Sequence, residues 1–194
     1  MFNITEKITE RLCQLQIVKD EDKELYAYGF WQGAILIINL ITVLIIGLLF
    51  EMLWQTMVFT VAYMMLRMVA GGYHAGSQRN CYFLSIILFI SALCMIRWVT
   101  WSLYLCLIIT VLSSITIFFL APVEDRNKPL DDLELQVYKK RSRIVLCLLL
   151  FLALTFLISG KLTILSCITV SFFASAIMLI VGKTKILASS VDTS

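Results

Sequence analysis

Long apolar runs separated by short polar stretches dominate this chain and predict membrane-spanning helices. The clearest run, 29–50, contains no charged residue and exceeds the about 20 residues that a helix needs to cross the hydrocarbon core of a bilayer. Five further runs follow, at 52–70, 82–96, 98–120, 144–159 and 162–182. The run at 52–70 reaches spanning length only if it includes Arg67, whose long side chain can extend to a polar partner or to the surface. The pattern therefore predicts six spans.

The segment before the first span has a different periodicity. Ile4, Ile8, Leu12 and Leu15 recur every three or four residues among charged side chains, which predicts an amphipathic helix. Because this segment (1–28) directly precedes a span, we expect it to lie in the headgroup region with its apolar stripe facing the bilayer. An ordinary helix packed on the loops would show the same stripe.

Two polar stretches complete the pattern. The longest hydrophilic connection, 121–143, contains both prolines and predicts an exposed loop whose second half is helical. The polar end of the chain, 183–194, predicts a frayed cytoplasmic tail. Together with the spans, these features predict one membrane domain over 1–194, with its transmembrane bundle at 29–182.

Composition supports an all-α integral membrane protein of about six transmembrane helices. The chain is 60% apolar and 15% charged, whereas soluble domains have about 45–50% apolar and about 25% charged residues. The net charge of +3 is modest and its basic residues are scattered through short loops, which excludes nucleic-acid binding as an expected function and favours contact with membrane lipid.

The distribution of basic residues predicts the orientation. With the N-terminus in the cytoplasm, Arg97 and Lys161 are the only two of the 16 Lys and Arg residues that face outward. A bias of this size across short loops is a strong topological signal. It places the polar stretch 71–80 on the cytoplasmic side, where thiols stay reduced.

That polar stretch carries the candidate chemistry. A cysteine nucleophile needs a base or a positive neighbour, and the chain's one histidine, His74, lies seven residues before Cys81. In an unbroken helix the two residues would be about 10.5 Å apart along the axis, too far for proton transfer. Gly71, Gly72 and Gly76 permit the bend that would bring them together. A lone interfacial histidine and an inert packing cysteine remain the alternative.

A metal site and a disulfide framework are not expected. A closed zinc site needs several histidine or cysteine ligands, and no loop carries a cluster of them. Cys94, Cys106, Cys147 and Cys167 lie within apolar runs, where cysteine behaves as a small hydrophobic residue. We therefore predict no metal and no cofactor.

Two separated motifs resemble the accessory gene regulator B (AgrB) family of bacterial membrane endopeptidases. They are Arg67 with residues 71–75 and Cys81, and, two hydrophobic runs later, residues 121–130. The resemblance extends over nearly the whole chain in length and order of apolar runs. It implies a protein of the bacterial cell membrane that processes a small cytoplasmic propeptide (AgrD-like) into a cyclic quorum-sensing signal, with His74 and Cys81 as catalytic residues.

The resemblance also suggests supporting roles. Arg67 would orient the dyad or meet an acidic group of the propeptide, although it could equally be a snorkelling anchor. Gly72 would serve the bend of the loop. Arg126 and Lys128 would bind the acidic tail typical of such propeptides, or would only set the topology. A homodimer is implied by the resemblance as well.

The reaction implied by the resemblance is a cysteine peptidase reaction. Cys81 would attack a carbonyl near the C-terminal end of the propeptide, form an acyl-enzyme thioester and permit thiolactone cyclisation. Two other functions fit the same sequence. One is a small membrane peptide transporter with Arg67 and His74 lining a polar path, and the other is a non-enzymatic chaperone that presents a peptide to another protease.

Overall fold

Helices make up most of the computed structural model, which describes residues 2–73, 78–123 and 131–191. The helices are α1 (Phe2–Gln14), a short 3-10 helix (Asp20–Asp22), α2 (Lys23–Leu49), α3 (Leu53–Ala70), α4 (Gln78–Trp98), α5 (Leu103–Leu120), α6 (Asp132–Ile158) and α7 (Leu162–Val191). Within these residues, α2 to α7 are the six helices long and apolar enough to cross a membrane. The predicted all-α, multi-pass membrane fold is confirmed.

The helix ends differ from the ends of the apolar runs. α2 begins at Lys23 rather than at Gly29, so the segment 1–28 is divided between α1 and the start of α2. α6 begins at Asp132, as expected for the second half of the long connection, and α7 continues to Val191 through most of the tail that we expected to be frayed. Backbone hydrogen bonds extend a helix regardless of hydropathy, whereas hydropathy marks only the part that lies in lipid.

Residues Met1–Ile45 and Ile46–Ser194 form two compact units. In the first unit, Lys23 Nζ lies 3.1 Å from Glu10 Oε1, but both side chains are exposed, so this ion pair contributes little to stability. Ile8 on α1 and Leu15 just after it are also exposed, which leaves these apolar side chains available for the headgroup region. Its location in the membrane stays a prediction.

α7 is the central helix of the second unit. Within its spanning part 67% of the residues are buried, against 39% or less in the other spans, and it packs against α3, α4, α5 and α6. Phe172 is fully buried, and Thr169 Oγ1 lies 3.0 Å from Thr110 Oγ1 of α5 in a buried hydrogen bond. Since lipid supplies no hydrophobic drive between helices, close packing and such hydrogen bonds hold the bundle together.

The connection after α3 and the connection after α5 lie on one face of the second unit. Val123 N, just after α5, donates to Ala70 O at the end of α3 at 3.0 Å. At the opposite face, Arg97 Nη1 at the end of α4 donates to Phe50 O before α3 at 2.8 Å. The two faces are therefore separated by the length of α3, and the candidate chemistry belongs to the first.

The close approach of α2 to the start of α3 generates a stability prediction. A Cβ on Gly47 would lie 2.6 Å from Thr56 Oγ1 and 2.9 Å from Thr56 Cβ. Thr56 is fully buried and its hydroxyl donates to Met52 O at 2.8 Å, so it has no room to move aside. We expect Gly47→Ala to destabilise the detergent-purified protein by about 1–3 kcal/mol.

The measurement is the melting temperature of each variant in the same detergent. Gly29→Ala is the matched control on the same helix, because nothing lies within 4 Å of the Cβ it would add. Its melting temperature should stay equal to or rise above that of the wild type, since alanine favours a helix over glycine. Equal melting temperatures for Gly47→Ala and the wild type would contradict the packing argument.

Candidate functional site

Two glycines end α3 and begin the loop that carries the candidate chemistry. Gly71 has φ +71° and Gly72 has φ +126°, values that side-chain-bearing residues rarely adopt. α3 ends at Ala70, and neither glycine nor Tyr73 is helical. The break expected at Gly71 or Gly72 is confirmed, whereas Gly76 and the separation of His74 from Cys81 lie outside the described residues.

The Arg67 side chain binds the backbone of this loop. Its Nη1 donates to Gly71 O at 2.6 Å and its Nη2 donates to Tyr73 O. The side chain is half-buried, and a Cβ added to Gly72 would overlap Nη1. Arg67 thus supplies hydrogen-bond donors to two loop carbonyl oxygens just beyond the end of α3, and Gly72 leaves the room that the guanidinium occupies.

The two sequence motifs meet in space. Val123, the third residue of the second motif, forms a parallel β-bridge with Gly71 through the bond from Val123 N to Ala70 O. A Cβ on Gly71 would overlap Val123 O, so only glycine permits this approach. The start of the 121–130 motif therefore packs directly against the 67–81 motif.

α7 holds the same loop from another side. Tyr73 N donates to Met178 O at 3.0 Å, and Lys185 Nζ lies 4.8 Å from the centre of the Tyr73 ring. A Cβ on Gly182 would lie 2.8 Å from Tyr73 N and 2.9 Å from Gly72 C. The sequence did not predict these contacts of Met178, Gly182 and Lys185. The one signal for them was the position of Gly182 at the end of the apolar run 162–182.

Cys81 lies at the start of α4. It is the fourth residue of that helix and its side chain is half-buried. Ser85 Oγ donates to Cys81 O at 3.0 Å, which adds a local bond to the first turns of the helix.

Three of the predicted site residues, His74, Arg126 and Lys128, lie outside the described residues. His74 directly follows Tyr73, whose backbone N–H and carbonyl oxygen are bonded to α7 and to Arg67. The predicted approach of its imidazole to Cys81 stays a prediction. The structure brings together Arg67, Gly72 and the first residues of the second motif.

The other cysteines do not gather at this loop. Cys106 and Cys167 are buried within the bundle, and Cys147 is exposed on α6. Among the described residues there is no group of three or more His, Cys, Asp or Glu side chains that could hold a metal ion.

Comparison with known proteins identifies the same family that the two sequence motifs resemble. The family model for accessory gene regulator B matches residues 3–179. An AgrB-like protein of Clostridium perfringens (strain 13 / Type A) is 28% identical over 158 residues, covering 77% of this chain and 74% of the relative. Protein FsrB of Enterococcus faecalis (strain ATCC 47077 / OG1RF) is 32% identical over 119 residues, covering 60% of this chain and 49% of that protein.

No solved structure matches the chain at a significant level. The family model, in contrast, extends from α1 to the last third of α7 and includes both motifs and every spanning helix up to that point. The chain belongs to the accessory gene regulator B family.

Proposed function

We propose that this protein is a membrane cysteine endopeptidase that removes the C-terminal tail of a quorum-sensing propeptide through an acyl-enzyme thioester. Family membership supports the coarser part of the proposal, a role in processing a quorum-sensing peptide. The observation that supports the finer part is the loop of residues 71–73, which immediately precedes His74 in the sequence. The loop is hydrogen-bonded to Arg67 of α3 and to α7, and Gly71 forms a β-bridge with Val123 after α5.

A loop held on three sides suits catalysis because the reacting groups must be positioned before the substrate arrives. Arg67, Val123 and Met178 supply the three attachments. Cys81 lies in the first turn of α4, at the other end of the sequence motif. In the sequence, His74 directly follows Tyr73, the last described residue of this loop.

In the proposed first step, the His74 imidazole takes the Cys81 proton as the sulfur attacks a peptide carbonyl. The carbon–nitrogen bond then breaks, and the leaving amine of the propeptide tail receives that proton from the imidazolium. This step exchanges an amide for a less stable thioester and is uphill, so loss of the tail must draw it forward.

In the second step, a cysteine within the propeptide attacks the thioester, releases a thiolactone ring and regenerates Cys81. One thioester replaces another, so the main cost is ring closure. Exclusion of water from the site would protect the thioester from hydrolysis during this step.

The supporting residues divide into two groups in this proposal. Arg67 and Gly72 are positioning residues, because their contacts are with the backbone of the loop. Arg126 and Lys128 would bind the acidic tail of the propeptide by charge complementarity. The homodimer is likewise a proposal from the resemblance; nothing among the described residues lies within 4 Å of a Cβ on Gly29 or Gly33.

The first prediction concerns the two catalytic residues. Purified full-length protein should be reconstituted with a candidate precursor, a small peptide with an internal cysteine and an acidic C-terminal tail. We expect wild-type protein to cleave it and both Cys81→Ala and His74→Ala to lose activity by at least about 1000-fold, since nucleophile and base act as a unit. The measurement is mass spectrometry of the products.

The same experiment separates the rival functions. Retained cleavage by Cys81→Ala would exclude Cys81 as the nucleophile. Wild-type protein that binds the peptide without cleaving it would favour the chaperone, and movement of intact peptide across vesicles would favour the transporter. Cys147→Ala is the matched control, because this cysteine is exposed on α6 and is not part of the loop.

The second prediction concerns the loop. Arg67→Lys keeps the charge but loses the planar fork that reaches both Gly71 O and Tyr73 O, and Gly72→Ala places a methyl group where Nη1 lies. We expect each change to lower kcat/KM by at least about 10-fold.

Gly160→Ala is the matched control for Gly72→Ala. Gly160 also has a positive φ, +64°, but nothing lies within 4 Å of a Cβ there. Gly160→Ala therefore introduces backbone strain of about 1–3 kcal/mol, as Gly72→Ala does, but no overlap with a neighbouring side chain. If Gly72→Ala and Gly160→Ala lower kcat/KM equally, general destabilisation would explain the loss and the role of Gly72 in the loop would be refuted.

The third prediction concerns orientation. A variant that keeps Cys81 as its single cysteine should resist a membrane-impermeant maleimide in intact cells and react with it in inverted vesicles, because the positive-inside distribution places the loop in the cytoplasm. A single-cysteine variant at Lys161, in the turn between α6 and α7, should react in intact cells. Labelling of Cys81 from outside would reverse the orientation.

A further inference from the structure

A cavity of about 390 Å³ opens on the face of the second unit opposite the loop. Its walls come from the segment before α3, the first turns of α3 and α7, and the end of α4 with the residues that follow it. The charged residues Glu51 and Arg97 both line it, beside Gln55 and Trp101. Its volume lies in the range of small-molecule sites, about 300–1,000 Å³. The proposed peptidase reaction does not use this cavity.

We expect the cavity to lie at the level of the lipid headgroups. α3 has 18 residues and is therefore about 27 Å long, close to the about 30 Å of the hydrocarbon core. The loop follows one end of α3 and Glu51 precedes the other, so the cavity is at the opposite boundary of the core. Trp101 Nε1 donates to Met95 O at 3.2 Å, and tryptophan is enriched at this level. Phospholipid headgroups surround the protein there.

The two charges of the cavity are not paired with each other. Arg97 Nη1 donates to Phe50 O at 2.8 Å, which uses one of the five N–H donors of the guanidinium. In the part of the chain that the structure describes, no ion pair joins Arg97 to Glu51. Both side chains are exposed, so a ligand from outside the bundle can reach both. A ligand that carries one negative and one positive group would complement them.

The backbone of Glu51 indicates a role for its side chain. Glu51 has φ +57°, in a turn closed by hydrogen bonds from Glu51 N to Leu48 O at 3.0 Å and from Met52 N to Gly47 O at 2.8 Å. Glycine and asparagine favour this left-handed conformation, whereas glutamate is uncommon in it. A side chain kept in such a conformation is a candidate for function.

The chemistry of the two charged groups selects among headgroups. A headgroup with only a negative charge would meet Arg97 but would be repelled by Glu51. A choline group carries a positive charge but has no N–H to donate. An ethanolamine ammonium donates up to three hydrogen bonds, which the Glu51 carboxylate and the Gln55 side-chain oxygen can accept, while the adjoining phosphate suits Arg97.

We propose that this cavity binds the headgroup of an amine-bearing zwitterionic phospholipid, with the phosphate on Arg97 and the ammonium on Glu51. The bound lipid joins the segment before α3 to the end of α4 and the start of α7. Binding does not depend on the proposed peptidase reaction, because the cavity and the loop lie at opposite ends of α3. With the predicted orientation, the lipid comes from the outer leaflet.

Native mass spectrometry of the detergent-purified full-length protein tests this site. Phosphatidylethanolamine, phosphatidylcholine and phosphatidylglycerol with identical acyl chains are added separately, and the fraction of protein that carries one lipid gives each Kd. We expect phosphatidylethanolamine to bind at least about fivefold more tightly than either of the others, since only its headgroup offers both a phosphate and N–H donors. Equal binding of the ethanolamine and choline lipids, or preferred binding of the glycerol lipid, would overturn the proposal.

Glu51→Gln keeps the length of the side chain and removes its charge. We expect the preference for the ethanolamine lipid over the choline lipid to fall below about twofold, with the Kd of the choline lipid unchanged within about twofold. Glu24→Gln is the matched control, because Glu24 is an exposed acid at the other end of α2 and does not line the cavity. It should keep the wild-type preference.

Glu51→Asn separates loss of the ligand contact from loss of the fold. Asparagine favours the left-handed backbone at this position, so the melting temperature should equal or exceed that of the wild type. The shorter, uncharged side chain should still lose the preference for the ethanolamine lipid. A preference retained in both Glu51→Gln and Glu51→Asn would overturn the proposal.

Arg97→Gln tests the phosphate end of the site. We expect it to weaken binding of the ethanolamine and choline lipids by at least about fivefold each, since both carry the phosphate. Lys161→Gln removes a cation from the same face outside the cavity, and it should change neither Kd by more than about twofold. Equal losses in the two variants would show a general attraction to surface charge and would overturn the proposal.

A peptide is the rival occupant of the cavity. A short linear peptide with free amino and carboxyl termini carries the same two charges and is tested under the same conditions. Peptide binding that is lost in Glu51→Gln, together with equal binding of the three lipids, would assign the cavity to a peptide and overturn the lipid proposal.

Discussion

The site depends on one guanidinium group held at the end of a membrane helix. Transfer of a charged side chain to the edge of the hydrocarbon core costs several kcal/mol unless it finds polar partners. Arg67 offsets this cost by donating hydrogen bonds to the carbonyl oxygens of Gly71 and Tyr73. These carbonyls lie just beyond the end of α3, where no helical N–H group pairs with them. These hydrogen bonds satisfy both the guanidinium and the two carbonyl oxygens. The same contacts hold the arginine side chain and the loop backbone in place.

Glycines make this solution possible. At Gly71 and Gly72 the backbone adopts positive φ, and added side chains would overlap Val123 O and the Arg67 guanidinium. Gly182 of α7 provides a third close approach, to the backbone of Tyr73. Three contacts from distant parts of the chain therefore converge on three consecutive loop residues, while α7 as the buried central helix gives them a firm support.

Hydropathy predicted the six spans because lipid selects apolar side chains over the whole width of the bilayer. It failed at the helix ends, since the polar first turns of α6 and the last turns of α7 have no apolar signal. The polar gap and its glycines predicted the break after α3. The acceptors of Arg67 were beyond prediction, because any residue type carries a backbone carbonyl. Met178 and Gly182 were missed because their contacts with the loop arise only from tertiary packing.

The bridge between Gly71 and Val123 also bears on how members of such a family can be recombined. The bridge joins residues 71–73, after α3, to residues 121–123, after α5. These two segments are in direct contact and form a single structural module, although two helices separate them in the sequence. A chimera that exchanges only one of them would join two halves built for different partners, so a transfer of specificity between relatives requires both segments together.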